Sequence, residues 1–98
     1  MYSNLQKTSA PDVRELRQAG GVWLKTLREE AGLSQRQLAA KLDIEYYTFI
    51  SQLENGRGRI PPDRYEAWAE ALKVDLKEFT RELMRYYDPV TFRILFNN

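Results

Sequence analysis

The sequence predicts an all-α protein, with five helices that include a helix-turn-helix and a short helical extension at the C-terminus. Three observations carry this. Apolar residues recur at steps of three and four along successive stretches. Capping and stop residues punctuate those stretches where helices would start and end. Residues Leu33 to Arg57 read as helix, tight turn, helix and glycine stop.

The elements follow in order. Residues 1–10 are polar and read as a flexible N-terminus. Ser9, Pro11 and Asp12 form a helix start. Val13, Leu16, Gly20, Trp23, Leu27 and Ala31 then make one apolar stripe. The stripe continues through Gly20-Gly21, which predicts one long first helix. A break at the glycine pair is the competing reading. Gly20 lies on the stripe, which suggests close approach of another helix. Gly32 stops the helix.

Ser34 and Gln37 form a capping box for helix two, whose apolar face is Leu38, Ala39 and Leu42. Asp43-Ile44-Glu45 interrupts the pattern. Phe49, Ile50 and Leu53 resume it in helix three, and Asn55-Gly56 ends it. Gly58 and Pro61-Pro62 make Arg57–Pro62 a loop. Helix four starts near Pro62 or Asp63 and turns Tyr65, Trp68, Ala69 and Leu72 inward. Asp75 caps helix five, which carries Leu76, Phe79 and Leu83 inward. Asp88-Pro89 is a further helix start, followed by Val90, Phe92, Ile94, Leu95 and Phe96. The domain reading is therefore a flexible segment 1–10, a helix-turn-helix domain 11–84 and an extension 85–98.

Composition removes several function classes. The chain has 98 residues, 43% of them apolar, and neither cysteine nor histidine. Disulfides and thiolate metal sites are out, as are the commonest metal ligand and general base. No nucleophile has a base beside it and no glycine-rich phosphate loop is present, so neither catalysis nor a cofactor is expected. The N-terminus lacks an apolar signal core and no long apolar run occurs, which suggests a cytoplasmic protein. The absence of a separate sensor domain argues against small-molecule induction. Net charge is only +1. What matters for DNA is local charge, and Arg57-Gly58-Arg59 offers two cations with no acid before Asp63.

Leu33-Ser34-Gln35-Arg36-Gln37-Leu38-Ala39, followed by Ile50-Ser51-Gln52-Leu53-Glu54-Asn55-Gly56, resembles the helix-turn-helix of the Cro and lambda-repressor-like family, also called the XRE family. The resemblance covers about residues 21–83 and implies a lambda-repressor-like five-helix domain. Between Leu42 and Ile50 the chain has one residue more than the family's usual spacing, and Asp43 stands for the usual turn glycine. The resemblance implies that Arg28 and Glu54 form a buried ion pair locking helix three onto helix one. It implies base reading by Tyr47, Thr48, Ser51 and Gln52, with glutamine suited to adenine. Backbone contacts fall to Ser34, Gln35, Tyr46, Asn55, Arg57 and Arg59. Packing against the turn is the alternative for Tyr46 and Tyr47.

The expected function is a sequence-specific regulator of transcription, a homodimeric repressor on a palindromic operator in double-stranded DNA. A DNA-binding antitoxin, or a protein-interaction module using the motif as scaffold, are the alternatives. Val90, Phe92, Ile94, Leu95 and Phe96 are the expected dimer interface, with fold-back onto helices one and five as the rival.

Overall fold

Asp12 starts the first helix by accepting the backbone N–H groups of Arg14 and Glu15 at 3.0 and 3.3 Å. The computed structural model describes residues 12–96. Among them are six α-helices and no strand. They are α1 (Val13–Glu30), α2 (Gln35–Lys41), α3 (Thr48–Glu54), α4 (Tyr65–Leu72), α5 (Leu76–Tyr87) and α6 (Pro89–Phe96), with a 3₁₀ turn Pro62–Arg64 before α4. The fold is the all-α, helix-turn-helix one expected. The N-terminal segment 1–10 lies outside the described residues.

Helix α1 runs unbroken through the glycine pair, so the long-helix reading holds. The two glycines face different neighbours. A Cβ on Gly20 would come within 3.0 Å of Tyr86 on α5, and one on Gly21 within 2.3 Å of the Glu54 carbonyl oxygen on α3. Helix α1 is thus wedged between α3 and α5. This corrects the expected stripe. Val13 is 63% exposed, whereas Gly20, Gly21, Leu24 and Arg28 are buried. Trp23 and Leu27 pack at the margin of the core. The buried arc is wide because two helices share it, and a buried arginine within it is invisible to an apolar pattern.

Four helices end with the same closure. A residue in left-handed conformation turns the chain, and the next N–H returns to a carbonyl five residues back. Gly32, Asp43, Gly56 and Lys73 take the left-handed position. The returning bonds are Leu33 to Arg28, Ile44 to Ala39, Arg57 to Gln52 and Val74 to Ala69, at 2.8–3.1 Å. Asp43, at φ 58°, does the work of the usual turn glycine.

The core joins Leu24 of α1, Leu38 and Leu42 of α2, and Ile50 and Leu53 of α3. Trp68 and Leu72 of α4 and Phe79 and Leu83 of α5 complete it. Trp23 stacks on Phe79 at 5.5 Å between ring centroids and leans on Tyr86 at 5.6 Å. Leu76 is 40% exposed rather than inward, because it is the first residue of α5. The buried stripe of α5 begins at Phe79 and ends at Tyr87. Ile60, in the loop after α3, is fully buried and donates its N–H to the Tyr87 hydroxyl at 3.2 Å. The sequence pattern did not mark it, because a lone apolar residue in a loop has no period. No residue of α6 is buried.

Candidate nucleic-acid interface

The site is built around α3. Its capping and packing fix one face inward, with Ile50, Leu53 and Glu54 buried. Thr48 and Gln52, one turn apart, are therefore left exposed side by side. Ser51 is half-buried at the edge of that face. Asn55 is exposed, and its amide donates to the Ser51 carbonyl at 3.0 Å. Arg57 follows on the surface, just past the turn at Gly56.

A buried polar network anchors α3. Arg28 donates from Nε to Glu54 at 2.7 Å and from Nη2 at 3.1 Å, a two-pronged pair. Its Nη1 donates to the Leu33 carbonyl at 2.8 Å. The Gln35 amide adds a third bond to the Glu54 carboxylate, at 3.0 Å. The two charged residues are only 7% and 9% exposed, so each needs the other. The bond to Glu54 raises the Arg28 guanidinium above its usual range, against the opposing effect of burial. Three helices thus meet at one carboxylate. Gln35 binds helix three through its amide nitrogen and has its carbonyl oxygen as a remaining polar group.

The start of helix two is closed by its own side chains. Ser34 Oγ accepts the Gln37 N–H at 3.0 Å, and the Gln37 side chain accepts the Ser34 N–H at 2.8 Å. The Ser34 hydroxyl retains its proton for an outside acceptor.

The two tyrosines before α3 differ. Tyr46 is 67% exposed. Tyr47 is half-buried and packs against the core, while the Arg36 guanidinium sits 4.4 Å above its ring centroid. The connection between α2 and α3 spans residues 42–47.

Arg59 is placed differently from Arg57. The sequence shows no acid before Asp63, but folding brings Asp88 to 3.0 Å from the Arg59 guanidinium. That guanidinium also lies over the Tyr87 ring at 4.7 Å. The modest basic face is therefore smaller than the sequence suggested, because Asp88 neutralises one of its two loop arginines.

Several residues escaped the sequence reading. Arg17 donates to the Gly58 carbonyl at 3.1 Å and lies 5.1 Å from the Tyr87 centroid, holding the loop after α3 against α1. Arg64 donates to the Leu42 carbonyl at 2.7 Å, joining the end of α2 to the start of α4. Arg36, in the first turn of α2, carries no local signal, because its partner Tyr47 lies eleven residues on. One signal was present: Arg17, Gly21, Leu24 and Arg28 are spaced by four, three and four, a helical face carrying arginine at both ends.

The tail residues stand apart from this surface. Val90, Ile94, Leu95 and Phe96 are exposed and Phe92 half-buried, its ring 5.2 Å from that of Phe96. Phe96 shares a shallow groove with Leu76, Arg81 and Met84 of α5. The helix that approaches Gly20 is α5, through Tyr86, and not the tail.

A short helix clamped on its inner face, polar on its outer face and followed by a surface arginine is the architecture of a helix-turn-helix DNA-binding domain. The helix-turn-helix family model matches residues 24–79. The chain accordingly belongs to the Cro and lambda-repressor-like, or XRE, helix-turn-helix family. A comparison with curated proteins returned no match. Membership makes DNA binding in transcriptional regulation its function in broad terms.

Proposed function

We propose that this protein is a sequence-specific transcriptional repressor that binds a palindromic operator as a homodimer in the cytoplasm. The observation that carries the reading is the pairing of Thr48 and Gln52 on the exposed face of an α3 held rigidly from behind. Gln52 reads a base edge, with adenine the best partner for its amide. Thr48 reads beside it, and Ser51 borders the contact. Arg57 grips a phosphate, and Ser34, Gln35, Tyr46 and Asn55 supply the further backbone contacts. The chain's role is binding, with no catalytic step.

Dimerisation through α6 supports two recognition helices about 34 Å apart, one per major-groove turn. The two-fold interface would pair the same apolar residues, Val90, Ile94 and Leu95, from each copy. The same bare helix suits a different protein, as in a DNA-binding antitoxin. Light scattering at tens of micromolar separates the two: a dimer supports self-association, and a monomer alone and on DNA sinks it.

Binding selection from random DNA tests the reading as a whole. A recovered palindrome, with Gln52→Ala costing about 1–3 kcal/mol and relaxing one base pair per half-site, is the expected result. Unchanged preference at every position in Gln52→Ala would remove it from the reading face. Arg57→Ala should weaken all duplexes alike and make the salt slope shallower by about 0.9.

A further inference from the structure

We infer that Arg36 is a DNA-phosphate contact of this domain, held ready by the ring of Tyr47. The inference rests on DNA binding and adds to it a residue that neither the motif nor the family match assigns. Arg36 lies in the first turn of α2, and the first helix of such a motif is the one that crosses the nucleic-acid backbone. Its side chain is exposed, and among the described residues no carboxylate pairs with it. Its guanidinium nevertheless lies over a ring, 4.4 Å from the Tyr47 centroid.

The contact has a direction. Tyr47 is seated against the core and is half-buried, so the ring is the fixed partner and the arginine is the one placed by it. A guanidinium lying on a ring uses its face for the ring and leaves its edge N–H groups for a planar or tetrahedral anion. Arginine normally loses side-chain freedom when it grips a phosphate; here much of that loss is taken in folding. The other arginines near α3 are placed differently. Arg28 is buried on Glu54, Arg59 is paired with Asp88, and Arg17 and Arg64 donate to backbone carbonyls. Arg36 and Arg57 are the two left facing out beside α3. Tyr47 thereby acts as a positioning residue and not as a reader of bases.

The test is fluorescence anisotropy of the full chain on a labelled mixed-sequence duplex and on a duplex recovered by selection, at several potassium chloride concentrations. Arg36→Ala should bind both duplexes more weakly, with the slope of log affinity against log salt shallower by about 0.9. Arg36→Lys should keep the slope and lose affinity. Tyr47→Ala should weaken binding about two- to fivefold at an unchanged slope, and by nothing further once Arg36 is already alanine. Tyr47→Phe should behave as wild type. Circular dichroism checks that Tyr47→Ala remains folded; Arg36→Lys serves if it does not. A wild-type slope in Arg36→Ala, on DNA that the wild type binds, overturns the inference alone. So does a Tyr47→Ala loss of equal size in both backgrounds. An Arg36→Ala loss confined to one base pair of the selected duplex overturns the phosphate assignment. Failure of the wild type to bind any duplex overturns DNA binding itself.

Discussion

Helices α3 and α6 are nearly equal in length, seven and eight residues, and opposite in fate. Helix α6 is the more apolar of the two, with Val90, Phe92, Ile94, Leu95 and Phe96 among its residues, yet none is buried. Helix α3 has fewer large apolar groups and buries Ile50, Leu53 and even a glutamate. Burial is decided by what surrounds a helix, not by its apolar content. Helix α3 has α1 behind it, α2 beside it and a carboxylate answered on three sides. Among the described residues, helix α6 packs chiefly on the outer face of α5. The first is a seat, and the second is an exposed apolar surface.

The contrast can be broken most severely at Arg28. Arg28→Ala leaves Glu54 buried without its cation and should cost about 3–5 kcal/mol, read as a fall in the urea midpoint. A loss below about 1 kcal/mol would mean that α3 is held by its apolar contacts alone. Gly21→Ala comes next. The added carbon meets the Glu54 carbonyl at 2.3 Å, and backbone must move to admit it. A loss of about 1–3 kcal/mol is expected, together with weaker DNA binding as α3 tilts. Wild-type stability in this variant would show that α1 and α3 do not meet at their backbones.

Tyr87 offers a smaller and pH-dependent test. Burial pushes its phenol up, against the Ile60 N–H bond and the charges of Arg17 and Arg59. The neutral form is thus favoured in the folded protein, and the unfolded chain gives up the proton first. The stability this confers is full below the ordinary tyrosine value of about 10 and is lost as pH rises through the folded value. Tyr87→Phe should lose about 0.5–1.5 kcal/mol at neutral pH, with a flatter decline in alkali. An identical alkaline decline in both proteins would exclude Tyr87 as its source. The smallest effect on folding belongs to α6. Ile94→Ser with Leu95→Ser should change stability within about 0.5 kcal/mol, since both side chains are exposed. The same variant should shift light scattering toward monomer. A large loss of monomer stability would place α6 in the core after all.

Much of α2 and α3 was legible in the sequence, because their signals are local. The Ser34–Gln37 box, the Leu38-Ala39-Leu42 face and the Gly56 stop each need only a few neighbouring residues to be recognised. Less of α1 was legible. Its apolar stripe gives Gly20, Trp23 and Leu27 but not Leu24 and Arg28, which are defined by two flanking helices and not by the chain around them. Ile60 and the Arg59–Asp88 pair depend on contacts across 27 and 29 positions, which no local pattern carries. For the candidate contacts, spacing identified the outer face of α3. It could not tell that Tyr47 turns toward the core and lends its ring to Arg36.

The backbone approach of α1 to the end of α3 has a mechanical consequence. Side chains can re-pack to let a helix swivel, whereas a peptide group against a bare α-carbon leaves no slack. Gly21 faces the Glu54 carbonyl, and Gly56 brings the next turn against the backbone of Gln18. The α1–α3 contact therefore leaves α3 little room to swivel. When groove and helix do not match, the duplex must yield, and bending a site costs about 1–6 kcal/mol depending on its sequence. Under the proposed sequence reading, discrimination would extend to base pairs the protein never touches, through how readily each step of DNA gives way.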